Sequence, residues 1–216
     1  MAIEKMYEKG YVFTRLGKGV MQQKRSVRIN LALFELSSEN RRILRKTSDL
    51  IMNPQALPLS DYNFTIGKLA KDFYDSKFGQ GTMSAQKVKE MLTDPTRGNF
   101  NTLLIYSVAN QSGVNAKPSG YAISYETSHI LHYSYPFYDL TRAPKDTGLG
   151  MMLRAIELAQ MQNKKYVYLG SLQRPADKYK LQFSGLEWFD GKKWQNDIDE
   201  VKKILASDRI SRPLNI

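Results

Sequence analysis

The chain has 216 residues, 42% hydrophobic and 25% charged, which suits one buried core: a single domain, or one domain with a short extension. It has no cysteine and two histidines, which excludes disulfides, thiolate metal sites, a cysteine nucleophile and a histidine-rich metal centre. Lys and Arg number 32 against 21 acidic residues, a net +11; such a field favours polyanions and acidic substrates, with solubility as its competing use.

No apolar run reaches the roughly 18 residues of a membrane span. Met1 to Met6 lacks the apolar core of a signal peptide, so the cytoplasm is the expected address. Residues 1–35 read as a basic extension, with a strand packed on a main domain covering 36–216. The alternating stretch Ser26 to Leu31 is that strand. Ser37 then opens a helix through Lys46 whose surface is crowded by Arg41, Arg42, Arg45 and Lys46. Pro54 and Pro58 mark a loop. Residues 66–78 are helical by period, and Ser84 begins a short helix through Leu92.

The second half changes character. Thr102–Ala109, Tyr121–Tyr125 and Ile130–Tyr138 form an antiparallel meander, with Ser112-Gly113 and Pro118 to Gly120 in its first loop. Thr141–Thr147 is a loop and Gly148–Gln162 a helix with an apolar stripe. A buried strand at Lys165–Leu169 follows, then a helical Pro175–Phe183, where proline suits the first turn. Asp190-Gly191 turns a hairpin, and Asn196–Ala206 forms a last helix. The implied class is α+β with a mixed sheet flanked by helices, in the order of a GNAT (acyl-CoA N-acyltransferase-like) domain. That order alone leaves other α+β folds open.

Lys145-Asp146-Thr147-Gly148-Leu149-Gly150 sits between a strand and a helix. Glycines there let backbone N–H groups approach an anion, and the helix start adds a favourable dipole. Lys145, Gly148 and Gly150 are therefore candidates for holding the phosphate of a donor; an ordinary glycine turn is the alternative. His129 and His132 lie three apart in a strand, which builds no metal site, and both read as structural or exposed.

Several blocks then fall in one order. Ser38 to Lys46 is an arginine-rich helix, and Pro136-Phe137-Tyr138-Asp139 precedes the crossover helix. Tyr166-Val167-Tyr168-Leu169-Gly170 ends a strand, Lys178-Tyr179-Lys180 follows, and Glu187 and Trp194 close the series. Together they resemble the signature blocks of arginyl-tRNA–protein transferases, over roughly residues 10–195. The resemblance implies a GNAT-fold acyl- or aminoacyltransferase with aminoacyl-tRNA as co-substrate, no permanently bound cofactor, and a protein or peptide N-terminus as acceptor. The family's N-terminal module uses cysteines that are absent here, so no cysteine-dependent, iron–sulfur or metal role is expected.

An aminoacyl ester is already activated, and an α-amine with a pKa of about 7.7–8.0 is partly neutral at pH 7. The chemistry needs positioning, oxyanion stabilisation and a proton for the departing ribose oxygen. Tyr179 is the candidate acid, with packing against Phe183 as its competing reading; Tyr138 is the second choice. Lys178 and Lys180 match the basic–aromatic–basic core and are candidates for donor phosphate. Arg41, Arg42 and Arg45 are candidates for tRNA or an acidic acceptor. Asp139 and Glu187 could hold an arginine donor side chain by bidentate pairing. Asp139 could equally cap its loop, Glu187 could pair with a lysine, and a leucine donor would need only an apolar pocket. The alternatives are an acetyltransferase using acetyl-CoA and a non-catalytic RNA- or tRNA-binding relative.

Overall fold

The computed structural model describes residues 2–108 and 117–207. In chain order the elements are α1 (Ala2–Glu8), β1 (Tyr11–Phe13), β2 (Met21–Gln23), β3 (Ser26–Asn30), α2 (Ser38–Lys46), β4 (Leu50–Ala56), α3 (Phe64–Phe78) and α4 (Ala85–Thr93). The second half adds β5 (Thr102–Val108), β6 (Pro118–Glu126), β7 (Ile130–Tyr138), α5 (Thr147–Met161), β8 (Tyr166–Ser171), a 3-10 helix (Pro175–Gln182), β9 (Leu186–Phe189), β10 (Trp194–Gln195) and α6 (Ile198–Ser207). β1 and β2 form a separate hairpin. The other strands make one sheet in the order β10-β9-β3-β8-β7-β6-β5-β4.

Every neighbour in that sheet is antiparallel except β7 and β8. A parallel neighbour needs a crossover, and α5 supplies it. The mixed sheet, its meander and its single crossover are the GNAT-like α+β architecture expected from the order of elements. Alternation along the strands gives each face its own core. Val27, Ile29, Leu104, Ala122, Leu131 and Val167 face α2, α5 and α6. Leu103, Tyr121, Ile123, Phe137 and Tyr168 face α1, α3, α4 and the β1–β2 hairpin.

Local signals place most boundaries. Ser37 Oγ accepts the Asn40 N–H at 3.1 Å while Asn40 Oδ1 accepts the Ser37 N–H at 3.2 Å, a reciprocal cap on α2. Asn63 Oδ1 accepts the Thr65 N–H at 2.9 Å, so α3 begins two residues before its apolar period is evident. The expected loop at Pro54 is corrected: Pro54 lies inside β4, which tolerates it as the terminal strand of the sheet. Residues 1–35 do not merely cover the main domain, because β3 runs inside the sheet between β9 and β8. Ala109, at the end of the expected first meander strand, and Ser112-Gly113 lie outside the described residues. Among the described residues no helix is long and apolar enough to cross a membrane.

Candidate active site

The site begins where β7 and β8 part. They pair at Ile130–Tyr166, Leu131–Val167 and His132–Tyr168, and each then runs on without the other, to Tyr138 and to Ser171. β7 carries an extra residue there: Tyr133 faces Ser124 and Tyr135 faces Ile123, leaving Ser134 as a bulge. The bulge resets the alternation, so His132 and Tyr135 share a face and both rings approach Phe100, at 6.3 and 5.4 Å. Tyr133 points the other way and its hydroxyl makes no hydrogen bond of good geometry.

The 3-10 helix brings Tyr179 to this parting. Asp177 Oδ2 accepts the N–H groups of Gln173 (3.0 Å) and Arg174 (2.9 Å), which fixes its first turn. Tyr179 keeps 43% of its surface, whereas Phe183 is 3% exposed in the core; the competing reading of Tyr179 as a core residue is not what is seen. Burial around the hydroxyl, helped by the Asp177 carboxylate and opposed by Arg174, pushes its pKa up to about 12, and Tyr138 adds to the rise. Tyr74 and Tyr133 also feel Tyr179, so four phenols gather at one place. Around them the Arg15 N–H donates to Tyr135 Oη at 3.0 Å, and the Arg174 guanidinium lies 4.6 Å over the Phe78 ring.

Tyr138 ties this place to the start of α5. Its ring packs against Phe73, tilted, with centroids 4.9 Å apart, and a Cβ built on Gly148 would stand 3.2 Å from the Tyr138 ring and hydroxyl. Tyr138 also lines a cleft of about 1030 Å³ between α3 and the loop at 139–147. Leu50, Ile66, Leu69, Phe73, Tyr121 and Leu140 form its apolar wall, and Val108 and Lys117 flank it. Lys178, Tyr179 and Lys180 do not line the cleft. The two regions meet at Tyr138.

Other sequence candidates find different partners. Gly150 is buried against α2, where an added Cβ would sit 2.6 Å from Thr47 Oγ1, and its N–H bonds to Asp146 O at 2.9 Å. Its lack of a side chain serves helix packing. Lys145 is exposed, as is Lys178. Lys180 is not a free phosphate ligand: it is 7% exposed, donates to Ser171 O at 2.8 Å and lies 3.7 Å from Asp177. Burial lowers its pKa against the opposing pull of Asp177. Glu187 lies two strands from β8 and is held by Arg28 at 2.6 Å, with Asn30 at 3.3 Å. Arginine, not lysine, is its partner, and both carboxylate oxygens are already engaged within the sheet. Asp139 caps its loop, accepting the Thr141 hydroxyl at 2.6 Å and N–H at 2.9 Å, which holds its carboxyl below the usual range.

The arginine helix divides. Arg42 is chelated by Glu39 at 2.6 and 2.5 Å and reaches Asp146 at 3.4 Å. Arg41 turns back to Leu36 O, and Arg45 is exposed. Sequence reasoning missed Arg15, Arg174, Tyr74 and Phe78 as site residues; they come from three separate segments, Tyr74 and Phe78 one turn apart on α3. Of the two readings open for His132, structural or exposed, the fold selects the first: it is buried, with Nδ1 2.9 Å from Tyr7 Oη, and burial followed by Lys180 lowers its pKa to about 3. Among the described residues no three His, Cys, Asp or Glu side chains are grouped to hold a metal.

No family model matches the chain. Its sequence is 26% identical over 174 residues to the aspartate/glutamate leucyltransferase of Cereibacter sphaeroides, covering 79% of this chain and 61% of that one. It is 26% identical over 171 residues to that of Xanthomonas oryzae pv. oryzae, covering 78% and 67%, and 28% identical over 171 residues to that of a Methylobacterium, covering 75% and 67%. The chain is a distant homologue of the aspartate/glutamate leucyltransferases. The resemblance to aminoacyl-tRNA–protein transferases read from the motifs thus holds at the level of distant homology. The chain spans 61–67% of the length of these leucyltransferases. Among solved structures it is similar to L-PGS from Bacillus licheniformis (TM-score 0.49, 14% identity, 99% of this chain and 70% of that one). It is also similar to the N-acetyltransferase region of a fungal multi-domain β-N-acetylglucosaminidase (TM-score 0.47, 9% identity, 87% of this chain and 21% of that one).

Proposed function

We propose that this chain transfers an aminoacyl group from aminoacyl-tRNA to the N-terminal amine of a protein or peptide. The observation that carries the reading is the Tyr138–Tyr179 pair, which joins the cleft beside α5 to the parting of β7 and β8. The donor's aminoacyl side chain occupies the cleft with its ester at the Tyr138 end, toward Tyr179, and the acceptor amine approaches past Arg174. The amine nitrogen bonds to the ester carbonyl carbon, and the bond from that carbon to the ribose oxygen breaks as the tetrahedral intermediate collapses. Tyr179 gives its proton to the departing ribose oxygen and regains one from the ammonium nitrogen of the intermediate, so protons balance. A phenol with a pKa of about 12 remains an acid throughout the working range.

The apolar wall favours an aliphatic donor. Of the carboxylates lining the cleft, Asp72 and Asp139 are paired with Lys68 at 2.6 Å and Arg142 at 3.6 Å, and Asp49 is exposed. Leucine is the donor named for the relatives and fits this wall. The aspartate/glutamate acceptors named for the relatives suit the exposed Arg174 guanidinium, 3.4 Å from Asp177; the Arg15 guanidinium is taken by Thr82 O. Arg41, Arg45, Lys145 and Lys178 are exposed and suit the phosphates of the tRNA acceptor end. The test is incubation with mixed aminoacylated tRNAs and peptides varied at the N-terminus, read by mass spectrometry. The reading expects leucyl addition to acidic N-termini. Transfer from acetyl-CoA with indifference to charged tRNA would replace it, as would tRNA binding with no transfer to any peptide.

A further inference from the structure

We infer that Tyr133 is a positioning residue for Tyr179: the bulge in β7 sets its buried hydroxyl on the face that carries Tyr138, where it donates to Tyr179 Oη once that oxygen gives up its proton. The contact rests on the fold; only its use in transfer rests on the reading of Tyr179 as the acid.

Residues paired across two strands share a face of the sheet. Gly120, Ala122 and Ser124 alternate along β6 and pair with Tyr138, Pro136 and Tyr133. That face lies under α5, since a Cβ built on Gly120 would stand 3.1 Å from Met151 Sδ. Tyr133 and Tyr138 are five residues apart, and in an unbroken strand they would point to opposite sides. The extra residue at Ser134 brings them onto one side, with only Pro136 between them. Both phenols interact electrostatically with Tyr179, whose hydroxyl therefore lies along this row.

Two neighbouring phenols have already spent their protons. Tyr106 donates to Met151 O at 2.9 Å, and Tyr74 to Pro136 O at 3.1 Å. Tyr133 is 2% exposed, yet its hydroxyl has no partner of good geometry, Tyr106 included. A buried donor left unmatched destabilises a fold, and such a group points to a use in function. When Tyr179 protonates the ribose oxygen, it becomes a phenolate in a partly dry setting. A phenolate accepts strongly, and the Tyr133 O–H answers it without passing on its own proton. Tyr179 then regains a proton from the ammonium nitrogen, and Tyr133 ends unchanged.

The experiment uses Tyr133→Phe in the full chain. The change deletes one unmatched oxygen, so the thermal melt should stay at the wild-type temperature or rise. Transfer should slow about tenfold or more in kcat, with KM for charged tRNA and for peptide unchanged. The double variant Tyr133→Phe/Tyr179→Phe should be no slower than Tyr179→Phe alone, because Tyr133 acts only through that oxygen. A readout free of transfer is a fluorinated tyrosine placed at position 179, whose phenolate is titrated by absorbance with Tyr133 present and with Tyr133→Phe. Its pKa should stand about one unit higher without the Tyr133 hydroxyl. An unmoved pKa would overturn the inference, as would a double variant slower than Tyr179→Phe by the full Tyr133→Phe factor. So would a Tyr133→Phe melt several degrees below wild type, which would make the hydroxyl a structural one. A pKa that moves while wild type transfers nothing keeps the Tyr133 contact and removes the aminoacyl-transfer reading.

Discussion

Tyr179 and His132 are both perturbed mainly by burial, with opposite consequences. Removing the Tyr179 hydroxyl takes away a positioned acid, so Tyr179→Phe should lower turnover about 10²–10⁴-fold. Donor affinity, measured by filter binding of charged tRNA, should barely change. The pH profile gives a second check. Rate should rise as the acceptor amine deprotonates near about pH 8 and show no falling limb near pH 10, because Tyr179 keeps its proton until about 12. His132 affects stability. Its folded pKa of about 3 lies below the ordinary value of 6.5, so the unfolded chain binds the extra proton between them. Stability is therefore full above about pH 6.5 and falls toward pH 3, by at most about 1.4 kcal/mol per pH unit from this group. Urea denaturation across that range should show a shallower fall for His132→Gln than for wild type.

At the scale of elements, two contacts assigned to packing make distinct predictions. Gly150→Ala drives a methyl group into Thr47, with the nearest atoms at 2.6 and 2.8 Å, and should cost about 1–3 kcal/mol. Thr47→Ala removes both of those atoms, so the double variant should recover part of the loss in thermal melts; no recovery would mean that Gly150 matters for another reason. Glu187→Ala leaves Arg28, whose side chain is 8% exposed, without its counter-ion, and should cost about 3–5 kcal/mol in urea unfolding. Turnover per folded molecule should stay near wild type. Elements with a cap and a full apolar period are legible in the sequence alone: Ser37 and Ser84 each stand at a helix start, whereas the Asn63 cap of α3 emerges only from the structure. β4 is not, because Pro54 reads as a breaker unless the strand is known to lie at the sheet's edge. α1 and the β1–β2 hairpin are too short to carry a period, and tertiary contacts such as Asn99 to Thr14 O and Gly17 O hold the hairpin loop.

At the scale of the molecule, the β5–β6–β7 meander and the α5 crossover to β8 are legible, since a meander, a helix and a further buried strand leave few right-handed arrangements; the places of β3 inside the sheet and of β4 at its edge are not. The site is legible only where it is local. Tyr138, Gly148 and Tyr179 sit in motifs, and they come together around the parting of β7 and β8. Glu187 and Lys180 also sit in motifs, yet long-range partners take them up: Arg28 from β3, and Ser171 O with Asp177. The rim of Arg15, Arg174 and Phe78 requires the fold. Charge behaves similarly. Arg45 is exposed whereas Arg42 is chelated, so Arg45→Gln should weaken tRNA binding and reduce the salt slope by about 0.7–0.9, with a smaller change for Arg42→Gln.

A single-turnover reaction decides the central claim that one centre, spanned by Tyr138 and Tyr179, passes an acyl group from tRNA to an amine. Pre-bound leucyl-tRNA is mixed with a peptide bearing N-terminal aspartate, and leucyl-peptide is counted against time for wild type and Tyr179→Phe. The account predicts rapid transfer by wild type and a rate at least about a hundredfold slower for the variant at equal donor occupancy. Equal rates for the two proteins, or donor that stays on its tRNA with wild type, would contradict it.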